Sequence, residues 1–157
     1  MALEGLVRPE LGIVVRGVMS RDELFQALSG KAASAIAPDE ASPSQADILD
    51  ALEARELKGT TATRDAVAFP HAILGGETQL IVIPAVVTGG VLFSPGGVPA
   101  TLIFFTAGSR RDASQHIRVL ARLSRCVLQL PARERLLNAS DPRTLVERLL
   151  AEDRTHG

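Results

Sequence analysis

The chain has 157 residues, with 17 Lys and Arg against 18 Asp and Glu, no Trp, no Tyr and five Phe. A near-neutral total gives no overall pull toward nucleic acid or a lipid surface, and the missing aromatics remove the usual stacking platforms for single-stranded nucleic acid. With 46% hydrophobic residues the chain can bury an aliphatic core, and its one cysteine, Cys126, makes neither a disulfide framework nor a zinc site.

Charge is uneven along the chain. Residues 1–109 carry seven basic and twelve acidic side chains, and residues 110–157 carry ten and six. Nearly all the basic residues are arginine, as a GC-rich coding bias would give. The N-terminal "MALEGLVRPELGIVV" lacks the sustained apolar core of a signal peptide. The run "LIVIPAVV" (80–87) is too short to span a bilayer and is broken by Pro84. The chain reads as a single cytoplasmic domain over 1–157, with an ordered core over about 5–152 and no direct membrane insertion.

In chain order, "LGIVVRGV" (11–18) is rich in β-branched residues and reads as a strand. "SRDE" (20–23) is a capping box that opens a helix burying Leu24, Leu28, Ala32 and Ile36. "APDEASPSQ" (37–45) reads as a turn closing in a second capping box, Ser42 to Gln45, with Pro43 at the first helical position. That helix runs to about Leu57, and 58–63 is loop. "AVAFPHA" (66–72) reads as a short strand that proline terminates. Residues 79–87 and 100–107 read as buried strands, with turns around a short strand at 88–97 between them. A helix opened by Asp112 follows, with Ile117, Leu120, Ala121, Val127 and Leu128 as its buried stripe and Arg118, Arg122 and Arg125 in solvent. "PARERLLNA" is a short helix, and Asp141-Pro142 caps the last one. The order β-α-α-β-β-β-β-α-α-α predicts an α/β domain, a mixed β-sheet flanked by helices on both faces.

Three residues stand out. His71 follows a proline, whose fixed φ and missing N–H set the angle at which the strand ends. Strand ends are where sites gather in α/β folds, and a neutral imidazole there is a nucleophile or a ligand. A histidine hydrogen-bonded to a loop carbonyl gives the same local pattern. His116 falls in the first turn of the "DASQHIRVL" helix, where free N–H groups favour an anion, or where a histidine simply packs under a loop. Arg55 ends the second helix; it suits bidentate contact with phosphate or carboxylate, or the C-terminal helix dipole. Of the three histidines the third, His156, lies in a tail expected to fray.

Together "RELKGTTATRDAVAFPHA" (55–72) and His116, 45 residues after His71, resemble the enzyme IIA domain of the bacterial phosphoenolpyruvate-dependent phosphotransferase system. The branch is the fructose/mannitol type, which includes the nitrogen-regulatory IIA proteins, and the likeness spans nearly the whole chain. The resemblance implies that family's α/β fold and a phosphocarrier that accepts a phosphoryl group on His71 from an HPr-type donor. It implies Arg55 and His116 as phosphate-stabilising groups, Thr60 and Thr61 as hydroxyl donors, and no cofactor or metal. The partner downstream would be a IIB domain in transport or a regulatory target protein, with regulation favoured. The sequence departs from the family pattern in the loop Ala62–Ala66, which has no glycine. Arg64 there adds positive charge or blocks access, and Asp65 would repel a phosphate placed close to it.

Two other readings share these residues. One is an interaction module that keeps the fold without phosphotransfer; the other is a stand-alone sugar-specific IIA component. A metal-dependent hydrolase using His71 and His116 lacks any His-Glu-x-x-His pattern. A nucleic-acid role has only the Arg118, Arg122 and Arg125 stripe behind it.

Overall fold

Two serine caps set the first helical layer. Ser20 opens α1 (Arg21–Ala35) by the expected box: its hydroxyl accepts the Glu23 N–H at 3.1 Å, and the Glu23 carboxylate accepts the Ser20 N–H at 3.2 Å. α2 (Gln45–Leu57) starts two residues later than its expected cap. Ser44 is the cap, closed by Asp47, and Pro43 precedes the helix. An ionised Asp at the third helical position satisfies the cap N–H and also faces the positive end of the helix dipole, which a neutral Gln cannot. The N–H of Ser44 in turn holds the Asp47 carboxyl below its ordinary range. The computed structural model describes residues 2–36, 42–76 and 78–157, so the first five residues of the turn expected over 37–45 lie outside the described residues.

The sheet contains β1 (Ile13–Val15), β2 (Val67–Ala68), β3 (His71–Leu74), β4 (Ile81–Val91) and β5 (Ala100–Ser109) in the order β1-β4-β5-β2, with β3 also on β5. β4 and β5 are antiparallel, and every other pairing is parallel. The sheet is therefore mixed, as expected. The predicted element order also holds, but two strands are drawn differently. The strand expected over 66–72 is two strands, and the short strand expected within 88–97 is the end of β4. Pro84 sits inside β4 just before its pairing with β1 begins at Ala85, so only one ladder is short of a donor at that point.

Pro70 does less than the sequence suggested. Ala68 pairs with Ile103 and His71 with Thr106, so both strands keep one register along β5. Proline removes a donor, yet its carbonyl still accepts the Thr106 N–H at 3.1 Å. The ladder is interrupted for two residues and the chain stays in the sheet.

Alternation sorts the strand side chains into two layers. Ile81, Ile83, Ala85, Val87, Ile103 and Phe105 bury against Leu24, Phe25 and Leu28 of α1 and Ile48 and Leu52 of α2. Val82, Val86, Leu102 and Phe104 bury against the second layer, α3 (Ala113–Val127), α4 (Leu130–Leu137) and α5 (Pro142–His156). Each fully buried large side chain contributes about 1.5–3 kcal/mol of transfer free energy. Helices thus cover both faces, as the α/β reading required.

The stripe expected on α3 is rotated. His116, Val119, Leu123, Cys126 and Val127 are buried, whereas Ile117 is 68% and Leu128 70% exposed. Two apolar stripes run along this helix, and the one containing a histidine faces the sheet. Arg122 is not a solvent arginine either: its Nε lies 2.8 Å from Asp153, whose other carboxylate oxygen accepts the Leu3 N–H at 2.9 Å. His156 stays within α5, 3.4 Å from Glu152, rather than in a frayed tail.

In the glycine-free loop, Ala66 adopts φ 62°, a left-handed conformation in which an L side chain is strained. It is held there because its carbonyl accepts the Thr101 N–H at 2.9 Å. Ala66→Gly is expected to stabilise the protein by about 1 kcal/mol, and the branched Ala66→Val to destabilise it. Urea unfolding midpoints check this; identical midpoints for all three proteins would show that the positive φ carries no strain.

Candidate functional site

His71 opens β3, and its partner Thr106 alternates with Leu102 and Phe104, so both face the layer that α3 covers. Phe69, held extended by the proline after it, presents its carbonyl to the ring. His71 Nδ1 lies 3.1 Å from that oxygen. A carbonyl can only accept, so Nδ1 carries the proton and Nε2 the lone pair. The Arg55 Nε–H donates to Nε2 at 3.1 Å, which requires the same tautomer. Arg55 stands in the last turn of α2 and is braced by donation from Nη1 to the Gly59 carbonyl at 2.8 Å.

His116 comes from the other helical layer and is buried. Its ring centroid is 5.2 Å from that of His71, with the planes at 81°. Its Nε2 lies 2.5 Å from the Thr106 hydroxyl. The structure thus brings Arg55, His71 and His116 together from α2, β3 and α3.

The two threonines are placed differently from each other. The Thr61 hydroxyl donates to the Glu56 carboxylate, which also accepts the Thr61 N–H at 3.2 and 3.3 Å. Thr60 is exposed, and its hydroxyl accepts the Ala62 N–H at 3.1 Å. Arg64 is exposed and lines a groove of about 460 Å³ with Thr60, Ala62, Phe93 and Val98. Asp65 is 3.8 Å from Arg133, so its charge has a cationic neighbour.

Burial governs the titration of both imidazoles. It lowers the pKa of His71; the Phe69 carbonyl pulls the other way, Arg55 lowers it and Glu56 raises it. Burial, reinforced by His71, brings His116 down to about 4. Both rings are neutral at pH 7. Among the described residues no group of three or more His, Cys, Asp or Glu side chains is arranged to hold a metal ion.

Sequence reasoning missed Thr106, Glu56 and the Phe69 carbonyl. Glu56 lay inside the quoted motif, beside Arg55. Thr106 had one faint signal, a hydroxyl near the end of the apolar run "ATLIFFTA". The carbonyl had none, because backbone acceptors are invisible in a sequence.

The family model described as "Phosphoenolpyruvate-dependent sugar phosphotransferase system, EIIA 2" matches residues 7–152. A protein named nitrogen regulatory protein from Bradyrhizobium diazoefficiens is 27% identical over 146 residues, 92% of each chain. A PTS system fructose-specific EIIA component from Haloferax volcanii is 32% identical over 105 residues, 66% of this chain and 68% of the relative. The crystal structure of nitrogen regulatory protein IIA-Ntr from Neisseria meningitidis superposes with a TM-score of 0.79 at 27% identity, covering 92% of this chain and 97% of that one. Among the described residues no helix is long and apolar enough to cross a membrane. With a family model spanning nearly its whole length and the matching fold, this chain belongs to the EIIA 2 family of the phosphoenolpyruvate-dependent sugar phosphotransferase system.

Proposed function

We propose that the chain is a histidine phosphocarrier, and that Nε2 of His71 accepts the phosphoryl group from an HPr-type donor protein. The observation that carries this reading is the tautomer. With the Nδ1 proton held by Phe69, the lone pair stands on Nε2, beside Arg55 and on the side of the sheet where His116 packs. Nε2 forms the new N–P bond as the donor's N–P bond breaks and its electron pair returns to the donor ring. Such transfers depend on positioning and charge stabilisation.

Each neighbour then has a part. At rest the Arg55 Nε–H caps the lone pair; after transfer it has anionic oxygens to serve instead. His116 adds a hydrogen bond from the α3 side, and the exposed Thr60 hydroxyl keeps its proton for a phosphoryl oxygen. Thr61 fixes the loop through Glu56. Ala66 supports the carrier reading over a degenerate interaction module, because it adopts the positive φ that a glycine would supply.

The regulatory, nitrogen-type role is favoured by likeness over 92% of the chain to proteins carrying that name. The fructose-specific relative, more identical over a shorter stretch, keeps transport as the second reading, with a IIB domain rather than a regulatory target downstream.

Incubation with phosphoenolpyruvate, enzyme I and HPr-type donors, read by intact mass, is expected to add one acid-labile phosphate that His71→Ala abolishes. Arg55→Gln is expected to slow its appearance by about 100-fold. No phosphate with any donor would refute the carrier role.

The neutral rings also predict a pH dependence. The unfolded chain protonates His116 near 6.5, whereas the folded chain does so only near 4, so unfolding takes up a proton between these values. Stability from this group is complete above about pH 6.5 and is lost as pH falls toward about 4. Compared with His116→Gln by urea unfolding, the wild type should lose about 3 kcal/mol over that range. A pH-independent difference would contradict the buried neutral imidazole.

A further inference from the structure

The deepest hydroxyl in the site is Thr106, which is fully buried on β5 opposite His71. Its Oγ lies 2.5 Å from His116 Nε2. A buried O–H proton needs an acceptor, since water does not reach it. Among the described residues the ring nitrogen of His116 is the one acceptor that Thr106 meets, so Thr106 donates and Nε2 accepts. A neutral imidazole that accepts at Nε2 carries its proton on Nδ1. No side-chain nitrogen or oxygen is buried without a partner among the described residues, so Nδ1, which bonds nothing else, reaches solvent.

We propose that Thr106 is a positioning residue: by donating to Nε2 it fixes His116 as the Nδ1–H tautomer, and so leaves an N–H donor in a ring whose centroid is 5.2 Å from that of His71. Without that hydroxyl the ring is free to take the opposite tautomer, with the proton on the nitrogen turned into the sheet. His71 and His116 then have one logic. Each ring has one nitrogen committed to the strand layer, His71 donating to Phe69 and His116 accepting from Thr106. His71 is left with a lone pair, and His116 with a proton. The pairing of β3 with β5 places both devices together, because the residue opposite His71 is the one that orients His116.

The kinetic arm of the test rests on the phosphocarrier reading; the spectroscopic arm does not. In unphosphorylated wild-type protein, long-range proton–nitrogen NMR of the imidazoles is expected to show His116 protonated at Nδ1. Thr106→Val should release that preference and give a mixture of the two tautomers, and Thr106→Ser should restore Nδ1 alone. In the phosphoenolpyruvate, enzyme I and HPr assay, Thr106→Val should take up phosphate about tenfold more slowly at saturating donor, the worth of one ordinary hydrogen bond, with the donor KM unchanged. Thr106→Ser should stay within about twofold of wild type. A wild-type His116 protonated at Nε2 overturns the proposal without any variant having to fold, and so does a tautomer that Thr106→Val leaves in place. A wild-type rate in Thr106→Val overturns the role in transfer. If the protein takes no phosphate at all, the carrier reading fails while the NMR result still decides the tautomer.

Discussion

The parallel pairing of β3 with β5 is the constraint on which the site depends. It places His71 opposite Thr106 and on the face covered by α3. A slip of one residue would turn His71 into the apolar layer occupied by Ala72 and Leu74. The register survives Pro70 because a proline carbonyl still accepts from β5. The proline also holds Phe69 extended, which brings the Phe69 carbonyl to His71 Nδ1. One residue type thus serves both the ladder and the tautomer.

Around that register the site is built from opposite sides. α2 packs on one face of the sheet and contributes Arg55 at the edge formed by β3; α3 packs on the other and contributes His116. The sheet edge is where the two layers come within reach of one imidazole. Burial keeps both rings neutral, and a single arginine supplies the positive charge in contact with the acceptor nitrogen. A charge on His116 would sit 5.2 Å from the His71 ring and disfavour protonation there. Glu56 is the balancing charge: it is buried, tied to Thr61, and raises the His71 pKa that Arg55 lowers.

Much of this was legible in the residues. The capping serines, the order of elements and the mixed sheet are local or pattern-level features, and they were read correctly apart from the shift from Ser42 to Ser44, the division of the 66–72 strand in two and the merging of the 88–97 strand into β4. Arg55, His71 and His116 were singled out from their positions at a helix end, after a proline and in a helix first turn. The α3 stripe was misread because Ile117, Leu120 and Ala121 are as apolar as Val119, Leu123 and Cys126. Periodicity gives a helix's period without its phase when both faces carry apolar residues.

The sequence by itself determined the broad succession of helices and strands, the serine cap of α1 and the aspartate cap of α5, and which polar side chains lie near chain features suited to a site. These follow from short-range sterics and hydrogen bonding within a few residues. Only the tertiary structure decided which ring nitrogen carries each proton, that Thr61 belongs to Glu56, and that Thr106 belongs to His116. Those are choices between partners far apart in the chain or on the backbone, and a sequence does not state which donor meets which acceptor until the sheet has paired and the helices have packed.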